Sequence, residues 1–126
     1  MKGKPFRVAG AVNHLEGETI KDCELSLPQD KLFIIEFVGI NAFAQNGQDL
    51  FFALQVNEDS AVYTYPIAPT GSSPYLDPEY PARIFGSQQV RLYVGPGGKL
   101  IVTFARSGDN GDARAFFDIS GRIITP

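Results

Sequence analysis

No stretch of ten or more residues in this chain keeps the apolar periodicity of a helix, because thirteen glycines and nine prolines interrupt every candidate. What the interruptions leave are short runs rich in β-branched and aromatic residues, separated by turn chemistry. In "KDCELSLP", Cys23, Leu25 and Leu27 alternate with polar neighbours, as in a half-buried strand. A further strand is expected over Phe6 to Val12, and longer ones in "KLFIIEFVGINAFAQNGQDLFFALQVNEDSAVYTYPI".

In that long segment Asn46-Gly47 separates two β-rich runs, the dipeptide that suits the two positive φ values of a tight hairpin turn. Closing the hairpin with Gln45 opposite Gln48 puts Phe33, Ile35, Phe37, Gly39 and Phe43 on a core face, across from Leu50, Phe52, Leu54 and Val56. The reverse face then carries Ile34, Glu36, Val38, Ile40 and Phe51, which is too apolar for open water. A second copy of the chain is therefore expected to cover it, making the protein a homo-oligomer. "NEDS" leads to a third strand, giving a three-stranded meander.

"SQQVRLYV", "KLIVTFARS" and "DARAFFDISGRII", separated by "GPGG" and "GDNG", read as a second meander. The expected fold is all-β: an antiparallel β-sandwich, jelly-roll-like, with two meanders joined by a Pro/Tyr-rich loop, or else an open β-barrel. A chain of 126 residues fits one such domain, spanning 1–126.

Charge narrows the partners. A net charge of -3 offers no electrostatic footprint for nucleic acid or an anionic membrane, and no apolar run is long enough to span a bilayer. "MKGKPFRVAGAV" has too short an apolar run for a signal peptide, so the compartment is undetermined, with the cytoplasm as default. Cys23 is the single cysteine and excludes an intrachain disulfide. From Leu32 to Ala82 there are acids and no Lys or Arg, whereas six bases face three acids from Arg83 onward. The simplest register of the second meander places Arg91, Tyr93, Phe104 and Arg106 on one face.

Catalytic chemistry finds little footing. His14 is the single histidine and falls in the polar bend "NHLEGET", where an exposed loop side chain is expected. With Cys23 it cannot supply three nitrogen or sulfur ligands, so no metal site and no cofactor is expected. Asp109 and Asp112 in "SGDNGDAR" read as hairpin-turn residues, and "GPGGK" as a turn without the Ser or Thr of a phosphate loop. Glu36 sits mid-strand between apolar neighbours and needs a partner, for which an arginine is expected. The enzymatic alternative pairs Glu36 with Asp118 as the two carboxylates of a glycoside-active enzyme.

The remaining feature is "PIAPTGSSPYLDPEYPAR", Pro66 to Arg83, too long for an ordinary connection and stiffened by five prolines. Its tyrosines offer large contact area with few torsions to freeze. The ligand-binding residues expected there are Tyr65, Tyr75, Asp77, Glu79, Tyr80 and Arg83, in a non-catalytic module that recognises carbohydrate or peptide. The alternative is a homo-oligomeric structural protein with no small-molecule ligand.

Overall fold

A computed structural model describes residues 3–15, 17–25, 27–44, 49–58, 61–68, 71–74, 82–108 and 111–124, with the backbone alone for 71–74, 82 and 83. The described strands are β1 (Lys4–His14), β2 (Ile20–Leu25), β3 (Leu32–Ala44), β4 (Leu50–Glu58), β5 (Ala61–Ile67), β6 (Gly71–Pro74), β7 (Ala82–Val94), β8 (Lys99–Arg106) and β9 (Ala113–Ile124). They form two antiparallel sheets, a five-stranded one of order β1-β9-β3-β7-β6 and a four-stranded one of order β2-β8-β4-β5. Among the described residues no helix is long and apolar enough to cross a membrane.

The expected sandwich is therefore present, and each sheet keeps two edges rather than closing into a barrel. Its wiring is a jelly roll. Successive strands pass from one sheet to the other except at the β4–β5 and β6–β7 hairpins, and β6 is an added edge strand beyond the eight that complete the roll.

This corrects the expected meanders. β3 and β4 lie in different sheets, so the hairpin read from Asn46-Gly47 does not form, and residues 45–48 themselves lie outside the described residues. β8 likewise leaves the sheet that holds β7 and β9. The physical reason is burial: β3 and β4 each carry a row of large apolar side chains. In opposite sheets the two rows pack against one another, whereas in one sheet both would need a further layer. The "GPGG" segment is still a turn, with Gly98 N donating to Gly95 O at 2.9 Å and Gly97 at φ 81°, but it links opposed sheets.

A second correction concerns the phase of β3. A β-bulge between Ile35 and Phe37 leaves Glu36 without a rung of its own against β7 or β9. Phe33 and Ile35 point inward before it, and Val38, Ile40, Ala42 and Ala44 point inward after it. Phe37 and Phe43 thus leave the core. The supposed second apolar face dissolves, since Val38 and Ile40 are core, Ile34 is buried, and Phe51 is exposed on the other sheet. The core fills with Val38, Ile40, Ile119 and Phe117 from one side and Phe52, Leu54, Val102 and Phe104 from the other.

Gly121 makes the bulge possible. It is the partner of Ile35, and a Cβ there would stand 1.9 Å from Ile34 O, a clash with backbone that no rotamer relieves. Gly121→Ala is expected to cost about 2 kcal/mol or more, toward the upper end of overpacking penalties. Urea denaturation checks it, and an unchanged midpoint would show that the bulge can open to admit a methyl group.

Candidate functional site

Because the bulge rephases β3, the outer face of the five-stranded sheet collects side chains that strict alternation would bury. Reading across the strands, Asn41 lies between Phe85 on β7 and Phe116 on β9, and Gly39 between Ser87 and Asp118. Phe37 lies between Gln89 and Ser120, while Phe43 has Arg114 as its β9 partner. β1 extends these rows with Ala11, Ala9 and Arg7 beside Phe116, Asp118 and Ser120.

Glycine at position 39 gives the face its relief. With no side chain between Ser87 and Asp118, a shallow depression of about 220 Å³ opens over Gly39, Asn41 and Gly86, walled by Phe116 and Asp118. Phe116 is 43% exposed and meets Phe43 edge to face, with centroids 5.9 Å apart. Phe37 and Phe85 are exposed as well. Four aromatic rings, a glycine floor and the amide of Asn41 thus occupy one open surface.

Charge frames that surface. Arg7 grips Asp118 in a bidentate pair, Nε donating to Oδ1 at 2.8 Å and Nη2 to Oδ2. These hydrogen bonds, with the attraction of the opposite charge, hold the Asp118 carboxyl below the usual range and raise Arg7. The predicted partner of Glu36 is there too: Arg122 Nη2 stands 3.1 Å from Oε2. Arg91 Nε donates to the Tyr93 hydroxyl at 2.8 Å, which raises the guanidinium pKa, and the charge of Glu36 adds to it.

The two carboxylates of the enzymatic alternative therefore each have a guanidinium of their own. Asp118 is kept ionised, the opposite of what a proton donor needs.

Of the other expected site residues, only Tyr65 has a described side chain. Tyr65 packs on the core from β5, opposite Leu54, in the sheet away from this face. Tyr75, Asp77, Glu79 and Tyr80 lie outside the described residues, as do Asp109 and the side chain of Arg83. The backbone of Arg83 is the partner of Phe43, and Pro74 is the partner of Ala82, so both ends of segment 75–81 stand at the Phe43 end of the face. Arg91 and Tyr93 share the outer face, but Phe104 and Arg106 are buried in the other sheet, which corrects their expected grouping.

His14 is corrected as well. It ends β1 pointing inward, 0% exposed, with Nε2 2.7 Å from Phe104 O and Nδ1 3.2 Å from Glu18 O. Carbonyls can only accept, so the shorter contact assigns the donated proton to Nε2. Buried Arg106 donates to Glu18 O at 2.7 Å and to Leu15 O at 2.9 Å. Together they pin the β1–β2 crossover from beneath, a structural task. Among the described residues no three His, Cys, Asp or Glu side chains gather in a way that could hold a metal ion.

Sequence reasoning passed over Phe37, Phe43, Phe85, Phe116, Asn41 and Arg114. One signal was available: β9 alternates cleanly, with Ala113, Ala115, Phe117 and Ile119 inward, so Phe116 falls among Arg114, Asp118 and Ser120 on the polar side. One such ring alone is ordinary; the contiguous group with Phe37, Phe43 and Phe85 is what marks the surface, and that grouping depends on the bulge.

No family model matches the sequence, and no curated protein is similar to it. Among solved structures, the chain is similar to the Eiger TNF of S. frugiperda at 12% identity and a TM-score of 0.42, over 95% of this chain and 94% of that one. It is also similar to dimeric latent PorU of Porphyromonas gingivalis at 10% identity and a TM-score of 0.38, over 94% of this chain and 13% of that one. At such values neither likeness bears on the site, which is defined by its own residues.

The lowered carboxyl of Asp118 sets a pH signature. A depressed pKa adds stability that is present above the ordinary carboxylate value of about 3.9 and lost as pH falls through the folded-state value. Asp118→Asn should therefore be less stable than the parent at neutral pH, with the gap closing below about pH 4. Urea midpoints measured across that range check it, and a gap independent of pH would refute the role of the Arg7 pair.

Proposed function

We propose that this protein is a non-catalytic carbohydrate-binding module that takes its ligand across the outer face of the five-stranded sheet. The observation behind this reading is the open depression over Gly39, flanked by exposed Phe37, Phe85 and Phe116 with Asn41 and Asp118 among them. Sugar rings present apolar C–H faces that stack on aromatic rings, and rims of hydroxyls that bond to amides and carboxylates. A ledge built this way suits them. A small apolar ligand would need an enclosed cavity, which this open surface does not offer.

The segment from Pro66 to Arg83, expected as one loop but holding the end of β5, all of β6 and the start of β7, extends the same reading, because Pro74 and Ala82, which flank segment 75–81, stand at the Phe43 end of the face. Tyr75 and Tyr80 would then add aromatic surface at one end of the track, with Asp77, Glu79 and Arg83 as polar groups that fix orientation. Tyr65 is left out, since it packs on the core of the opposite sheet.

Phe116→Ala should weaken glycan binding by at least tenfold, equivalent to about 1.4 kcal/mol. Its effect on stability should stay near 1 kcal/mol, the worth of one exposed aromatic pair. A glycan array followed by titration calorimetry on parent and variant checks this. Equal binding by both proteins would remove the face from the function.

The same aromatic exposure also favours a second reading, self-association across this face. An isologous contact would set the arginines of one copy against those of the other, which opposes it. Light scattering at tens of micromolar separates the two readings: a monomer is expected, and a dimer abolished by Phe116→Ala would favour assembly.

A further inference from the structure

Charge is distributed on this face in a way that specifies the sugar. Among the described side chains, Arg7, Arg91, Arg114 and Arg122 point outward from it against two acids, Glu36 and Asp118. The chain as a whole carries -3, so the face reverses the sign of the molecule. Both acids are already engaged, Asp118 by Arg7 and Glu36 by Arg122. The surplus positive charge sits at Arg114 and Arg91.

These two arginines stand at opposite ends of the aromatic track. Arg114 is the partner of Phe43, whereas Arg91 is held by Tyr93, itself the partner of Ile34. Arg91 itself sits between Leu92, the partner of Ile35, and Gln89, the partner of Phe37, so the two arginines are about seven residues of β3 apart, roughly 23 Å at ~3.3 Å per residue. A cation at each end of a track that long fits a linear polymer with repeated negative charge better than a single sugar. A guanidinium fork matches both oxygens of a planar carboxylate, as Arg7 does with Asp118, and the sulfated chain in the test stands for the tetrahedral anion that the same fork can also grip.

We propose that the ligand is a carboxylate-bearing polysaccharide, a chain of uronic acid units whose ring faces stack on Phe37, Phe85 and Phe116 while its carboxylates meet Arg114 and Arg91. This rests on the carbohydrate reading and narrows it. A polyanion without sugar rings has nothing to place on the aromatic track. A neutral glycan would use the aromatic track and offer Arg114 and Arg91 no anionic group of its own.

The test compares binding of a polyuronate oligosaccharide, its fully methyl-esterified neutral counterpart, a sulfated polysaccharide and a single-stranded oligonucleotide of matched length. The polyuronate should bind at least tenfold more tightly than the ester, with affinity falling as salt rises. Arg114→Gln should bring the two closer together, while Phe116→Ala should weaken both. Each variant is first checked for parental melting behaviour, with Arg91→Gln as the substitute should Arg114→Gln not fold.

Equal or tighter binding of the ester would overturn the uronate assignment and leave the carbohydrate reading standing. Preference for the sulfated chain would overturn the carboxylate. Equal binding of the oligonucleotide would show charge acting without sugar recognition and would overturn the proposal. Binding of none of the four would overturn the proposal, and a silent neutral-glycan array beside it would remove the carbohydrate reading as well.

Discussion

One misfit residue in the central strand decides both what is inside this molecule and what is outside it. The bulge at Glu36 shifts β3 by half a pleat, so a single strand serves the core with Phe33 and Ile35 on one side of the shift and with Val38, Ile40 and Ala42 on the other. Without the shift, Phe37 and Phe43 would be core residues. Val38 and Ile40 would then need cover from elsewhere. The hydrophobic effect tolerates the lost rung because the rephased strand buries its branched aliphatic side chains fully.

The bulge is supported from β9. Gly121 lets the backbone of Ile34 approach more closely than any other residue would allow, and Arg122, next along β9, reaches the carboxylate that the bulge turns outward. Glu36 thus avoids burial as an unpaired charge by being the extra residue, held at the surface. The aromatic face is a by-product of the same device: one shift both completes the interior and leaves a track of rings on the exterior.

The fold class was legible because it depends on local chemistry. Alternation along β2 and β9, the turn residues of Gly95 to Gly98 and the lack of helical periodicity all follow from the nearest neighbours in sequence. Strand pairing was not legible, since the strongest local cue, Asn46-Gly47, argued for a pairing that burial overrules by sending β3 and β4 to opposite sheets. The site was missed for a related reason. Periodicity of two is reliable until a bulge interrupts it, and nothing in "IIEFV" announces which residue is the extra one. His14 misled in the same way, its polar neighbours suggesting solvent while its ring lies buried against Phe104 O inside the fold.

The jelly-roll wiring also governs the order in which the molecule can be assembled. β9 lies between β1 and β3, so Val8 meets Ile119 and Val38 meets the same Ile119 from the other side. During synthesis β1 and β3 emerge long before β9, and until it arrives each presents an open edge of unpaired backbone groups. The last described strand is therefore a keystone, whose insertion joins the earliest part of the chain to its middle. Such distant pairing makes for slow folding, because the closure entropy of long loops is met before their contacts form. A nascent chain of this design is exposed to edge-to-edge association for as long as it lacks β9.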